Sequence, residues 1–211
     1  MRPMIPPTLP IAAVLLAWFG LAPARAQPLI RPAHGVSVEY RAEGRQDGSG
    51  PRQSGVIRVF WTDHGQMARV EMPGLPIFGI IDIPRDRMTV VFAQERGFVR
   101  MPLDPAHIPG LAVPPGTTMT RIGSDAVAGL GCAVWRVEGP RDHGTACITR
   151  DGLVLRAEGR GRAEGVAGSG RIEAVKVRYG PQPPALFVPP AGFREIDLPH
   201  IGFGPSGPRH P

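Results

Sequence analysis

Six histidines, His34, His64, His107, His143, His200 and His210, are the first side chains to ask for chemistry. No two stand at a metal-ligand spacing and no His-Glu-x-x-His motif occurs, so no metal-ligand set is assigned. Asp63-His64-Gly65 and Asp142-His143-Gly144 each place a histidine between Asp and Gly at an expected hairpin turn, where turn chemistry accounts for all three residues. Asp82 and Asp86 flank a further turn, and strand-end solvation accounts for this pair of carboxylates. A serine nucleophile needs a positioned base. Ser37, Ser49, Ser54, Ser124, Ser169 and Ser206 lie in no Gly-x-Ser-x-Gly elbow. Gly48-Ser49-Gly50 and Gly168-Ser169-Gly170 are loop tips rather than phosphate cradles, because no helix is expected to follow either. With 6% aromatic residues, most at core positions, stacking platforms for nucleic acid are lacking. The expectation is a protein that is not an enzyme, with no catalytic residue, no cofactor and no nucleic-acid partner.

Two cysteines remain, Cys132 and Cys147, and their chemistry depends on compartment. Arg2 supplies a positive start, Ile11 to Leu21 form an apolar run, and Ala24-Arg25-Ala26 is an A-x-A cleavage site. Residues 1–26 therefore read as a cleaved signal peptide, with the mature chain starting at Gln27. The apolar run falls well short of the ~20 residues that span a bilayer, which argues against an uncleaved anchor or any membrane span. Export to an oxidising compartment, periplasmic or extracellular, makes Cys132–Cys147 a disulfide. Cleavage removes Arg2 and Arg25 and no acid, lowering the net charge from +6 to +4. The bases are Arg apart from Lys176, and they are scattered beside acids, as in Glu39-Tyr40-Arg41. A nucleic-acid surface would cluster them.

The elements that must carry these residues are strands. There are 28 Gly and 26 Pro, which weaken helix interiors, yet 42% of residues are hydrophobic, too many for a disordered chain. Short β-branched and aromatic runs separated by turn residues predict strands over 35–43, 55–63, 66–72, 78–83, 87–94 and 97–101. After a Pro-rich connection over 102–116, a second meander follows over 118–122, 130–138, 145–150, 153–158 and 171–179. Pro84-Arg85-Asp86 and Glu95-Arg96-Gly97 reverse the chain, the latter with Gly97 available for positive φ. Residues 159–170 read as a flexible loop and 199–211 as a disordered tail, leaving one β domain over 33–198.

Pairing is best determined from Cys132 to Glu158. If Cys132 faces Cys147 and Asp151-Gly152 forms a two-residue type I′ turn, strand alternation segregates the side chains. Ala133, Trp135, Val137, Ala146, Ile148, Leu153, Leu155 and Ala157 share one face. Cys132, Val134, Arg136, Glu138, Thr145, Cys147, Thr149, Val154, Arg156 and Glu158 share the other. The bridge closes a loop worth ~3 kcal/mol by the chain-entropy argument. The first meander is apolar on both sides: Ile57, Val59 and Trp61 alternate with Val56 and Phe60, and Met88, Val90 and Phe92 with Thr89 and Val91. Such strands are covered on both faces. A curved sheet whose concave side is filled by loop 102–116, or by a ligand, satisfies this pattern.

The segments Ala128-Gly129-Leu130-Gly131-Cys132-Ala133-Val134-Trp135 and Ala146 to Arg156 resemble a family of exported bacterial proteins known only as a domain of unknown function. Met67-Ala68-Arg69-Val70-Glu71, Ile81-Asp82, Met88-Thr89-Val90 and the closing Ala185 to Phe193 are also similar, more remotely, to LolA-like lipoprotein carriers. The likeness covers about residues 36–197. It implies an all-β, LolA/LppX-like antiparallel meander forming a curved sheet or incomplete half-barrel. The amphipathic N-terminal helix and plugging helices of the carriers are missing from the pattern. The resulting expectation is an exported periplasmic protein binding a lipid or lipoprotein acyl chain, with Ile57, Val59, Trp61, Met88, Val90 and Phe92 lining the concavity. The alternative is a structural or protein-interaction module of the cell envelope.

Overall fold

The computed structural model describes residues 27–48, 51–104, 111–163 and 166–196. The expected signal peptide and the tail over 199–211 lie outside the described residues. Runs of Val, Ile, Thr and aromatic residues, cut by turn residues, pair with their chain neighbours. They give β1 (Val36–Gln46), β2 (Gln53–Trp61), β3 (Met67–Glu71), β4 (Ile77–Asp82), β5 (Arg87–Phe92) and β6 (Gly97–Pro102). The second series is β7 (Thr118–Val127), β8 (Leu130–Glu138), β9 (Asp142–Ile148), β10 (Val154–Ala163), β11 (Val166–Tyr179) and β12 (Arg194–Glu195). All twelve form one sheet in the order β12-β6-β5-β4-β3-β2-β1-β11-β10-β9-β8-β7, open between β12 and β7. Pairing is antiparallel except where β12 lies parallel to β6. The fold is the expected all-β incomplete barrel. Its two meanders meet where β11 returns beside β1.

The sheet wraps round one apolar core drawn from both meanders. Val36, Val38, Trp61, Ala68 and Ile81 meet Val127, Cys132, Cys147, Leu153, Leu155 and Ala174 there. Leu103 and Leu111, at the two described ends of the Pro-rich connection, are buried in the same core. A second cluster, Ile80, Val91, Phe98 and Phe187, lies on the opposite face of β4–β6, covered by the C-terminal segment. A third, Met119, Ala146 and Ile148 with Trp135 and Val137, is covered by Ile30 and Val113.

Cys132 and Cys147 form the expected disulfide, with Cα atoms 5.4 Å apart. The register differs by two residues: Cys147 faces Val134, so the bridge runs diagonally. A shift of two preserves the faces of β8 and β9, which is why Trp135, Val137, Ala146 and Ile148 still pack together. The Asp-Gly turn differs in kind. Gly152 has φ +96° whereas Asp151 does not enter the left-handed region, and Gly152 N–H donates to the Thr149 carbonyl. This is a three-residue turn ending in a left-handed glycine, not type I′. The ladder then slips between Val154 and Arg156. That bulge sends Leu153 and Leu155 into the main core and Val154 to the Trp135 side, reversing the expected faces of these three. At the bulge the Val154 carbonyl accepts a 2.7 Å hydrogen bond from the buried Tyr40 hydroxyl. Burial pushes that hydroxyl's pKa above the ordinary tyrosine range.

Three further expectations are corrected. Residues 159–163 and 166–170 are not loop: they extend β10 and β11, which stay paired as far as Ala163 and Val166. Their glycines permit close strand approach, since a Cβ on Gly159 would sit 2.7 Å from the His143 carbonyl oxygen. Asp142-His143-Gly144 opens β9 rather than forming the turn, which lies just before it and is closed by Gly139 N–H donating to the Asp142 carbonyl. At the β5–β6 reversal Arg96, not Gly97, adopts positive φ. Gly97 instead makes room for Ile196, 3.2 Å from where its Cβ would stand.

Candidate functional site

Between β2 and β6 the ladders carry no bulge, so alternation assigns every side chain to a face. Trp61, Val59 and Ile57 share the core face with Ala68 and Val70 of β3, Ile81 of β4, and Met88, Val90 and Phe92 of β5. The six expected lining residues thus lie on one side of the sheet, but not in one environment. Trp61 is 7% exposed and belongs to the main core, against which Ile57, Val59 and Met88 pack. Val90 and Phe92 are half-buried and lie beyond that cluster.

Around these two the core face is left open. Phe92 pairs with Ile77, Val90 with Val99, and Met88 with Met101. Ile77 is 40% exposed and Met101 36%. Met72 and Leu75, in the turn joining β3 to β4, add two more exposed apolar side chains at the rim. The sequence reading missed Ile77, Val99 and Met101. Alternation from Val90 across its neighbours was the signal that places them, and it needed the register of three strands. The arrangement offers apolar contact and no proton donor or acceptor.

A connected ion-pair network spans β7, β10 and β11 in the other meander. Arg156 of β10 lies opposite Cys147, and Asp125 of β7 opposite Cys132, so the two meet beyond the disulfide. Arg156 Nη2 donates to Asp125 Oδ2 at 2.5 Å. The hydrogen bonds from Arg156 and from Ala126 N–H hold the Asp125 carboxyl below the ordinary carboxylate range. Arg156 also reaches Glu173, which Arg171 bridges to Glu158.

The remaining chemical candidates resolve into structure. Asp63 accepts from Gly35 N–H at 2.6 Å, and His64 stands in the left-handed region of a short 3-10 turn. Asp82 accepts from Arg85, while Asp86 takes a left-handed conformation closing the turn, its N–H donating to the Ile83 carbonyl. Among the described residues no group of three His, Cys, Asp or Glu side chains is placed to hold a metal, and no helix is long and apolar enough to cross a membrane.

No family model matches this chain, and no curated protein matches it. Solved structures do resemble it. One chain of the MucA/MucB complex of Pseudomonas aeruginosa aligns with 73% of this chain at 12% identity and a TM-score of 0.47. This chain spans about half of that one, 54%. A LolA superfamily protein of Nitrosomonas europaea is 8% identical over 75% of this chain and 92% of its own, with a TM-score of 0.42. A DUF1329 family protein of Desulfovibrio piger is 11% identical over 75% and 91%, with a TM-score of 0.40. A LolA-like protein and a domain of unknown function, the two likenesses read from the sequence, are thus both among the structural neighbours.

Proposed function

We propose that this chain is an exported, periplasmic, non-catalytic binding protein that holds an apolar ligand, an acyl chain, against the open part of its core face. The observation that carries this reading is the uncovered patch around Val90 and Phe92, bounded by Ile77 and Met101. The disulfide fits the oxidising compartment such a role requires. Each methylene buried there contributes about 0.8 kcal/mol. Micromolar affinity corresponds to about 8 kcal/mol, so roughly ten methylenes are needed and short acids should not bind. The test is native mass spectrometry of protein taken from its own periplasm, with titration of a fluorescent long-chain fatty acid. Phe92→Asp is expected to abolish uptake at unchanged circular dichroism. No co-purifying lipid and no uptake would refute the reading.

The outer edge of β7 favours a second reading, an interaction module of the envelope. It terminates the sheet with ten residues that, among the described residues, pair only with β8. A row of unpaired backbone groups is a template for another chain. This reading expects a defined partner cross-linked through β7, whatever the state of Phe92.

A further inference from the structure

On the side of the sheet away from Phe92, β3–β6 and residues 182–189 line an open recess of about 550 Å³. Its construction is long-range. The Arg69 guanidinium lies 3.5 Å from the Phe78 ring centre and donates to the Leu186 carbonyl at 3.2 Å, pinning the C-terminal segment over the strands. Phe187, Ile80 and Met67 form an apolar wall. The polar wall is Asp82, Thr89, Arg85, Arg87 and Arg100.

The partners of these polar groups are incomplete in a particular way. Arg85 is held by Asp82 Oδ2 at 2.9 Å and Arg100 is paired with Glu195. Arg87 has no ion pair or side-chain hydrogen bond among the described residues, although it faces Asp82 across the β4–β5 ladder. Asp82 Oδ1 is buried and, among the described residues, accepts no hydrogen bond. Thr89, only 7% exposed, stands on the same wall. A buried acceptor without a donor costs about 1–3 kcal/mol, more when charged, and a ligand donor placed there recovers it. An unengaged guanidinium beside it is a fork for a carboxylate.

We propose that this recess binds a small carboxylate bearing an N–H or O–H donor on the adjacent carbon and an aliphatic tail, the class of apolar α-amino and α-hydroxy acids. Arg87 takes the carboxylate, Asp82 Oδ1 accepts from the α-amino or α-hydroxyl group, and the tail lies on Ile80 and Phe187. The site is on the opposite face from Phe92, and the inference does not depend on acyl-chain binding.

Isothermal titration of the full chain with a matched series tests this: leucine, leucic acid, isocaproate and isoamylamine. Leucine and leucic acid are expected to bind. Isocaproate, which lacks the donor, should bind roughly tenfold more weakly, the loss of one charge-assisted hydrogen bond. Isoamylamine, which lacks the carboxylate, should not bind at millimolar concentrations. Arg87→Ala should remove binding of both acids, while Phe92→Asp should leave it intact. Equal binding of isocaproate and leucine, undiminished binding to Arg87→Ala, or no binding of leucine and leucic acid at millimolar concentrations would each overturn the proposal.

Discussion

The two meanders of this sheet solve the same folding problem in opposite ways. β2–β6 keep an unbroken ladder and leave part of each face uncovered: the patch at Phe92 on one side, the recess at Arg87 on the other. In β7–β11 the ladder slips on β7 and β10, and β11 slips against β1. The β10 bulge is tied down on both sides by something long-range, the Tyr40 hydroxyl on the Val154 carbonyl and the Arg156 guanidinium on Asp125. The two halves are divided by how they are held. The irregular meander is fixed by covalent, polar and core contacts, while the regular one retains exposed apolar surface.

The largest effect should separate the two halves by stability. Leu155 is fully buried, so Leu155→Ala is expected to destabilise by about 2–5 kcal/mol, the range for deleting a packed leucine. Phe92→Ala removes a larger side chain but one already half in water, and its cost should fall well below that for a buried phenylalanine, about 3–5 kcal/mol. Urea unfolding of both variants measures the difference. Equal losses would break the division and make the Phe92 patch ordinary core.

The next effect is that of the disulfide. Removing it as Cys132→Ala with Cys147→Ala frees a loop with 15 residues of separation and should cost about 3 kcal/mol. If the halves differ as described, hydrogen exchange will quicken in β8, β9 and β10 first and leave β4 and β5 at wild-type rates. Uniform quickening would show that the sheet opens as one unit and that the meanders are not energetically distinct.

How much of this was legible in the residues follows from the same contrast. The alternation of Trp135 and Val137 against Val134 and Arg136 identifies the faces of β8 whatever the pairing, because a slip of two leaves them unchanged. Whether Asp151 adopts positive φ is a matter of one torsion, and that torsion set the bulge that exchanged Leu153 and Leu155 with Val154. The glycines from Gly159 to Gly170 read as a loop by composition. Their reason is contact between strands: Gly144 lies so near β10 that a Cβ would meet the Glu158 carbonyl oxygen at 2.1 Å. The six residues expected to line a concavity share a face because alternation is local, yet their division into core and partly exposed surface depends on where Leu103 and Leu111 land. The Arg87 recess was beyond reach, since its walls are brought together from residues 62 to 189.

The smallest effect concerns the ion pair over the disulfide. Asp125 is held below the usual carboxylate range by hydrogen bonds from Arg156 and Ala126 N–H. A carboxyl whose folded pKa is depressed contributes stability above its unfolded value, near 3.9, and loses it as pH falls through the lower folded value. The contribution is therefore constant at neutral pH and disappears only in acid. Because the pair is exposed it is screened, and stability should respond weakly. The sensitive measurement is a carbon-detected NMR titration of the Asp125 carboxyl. Its midpoint should lie below that of an ordinary aspartate and move up in Arg156→Ala. If it does not move, the contact does not persist in solution, and the polar clasp assigned to the irregular meander reduces to Tyr40 and the disulfide.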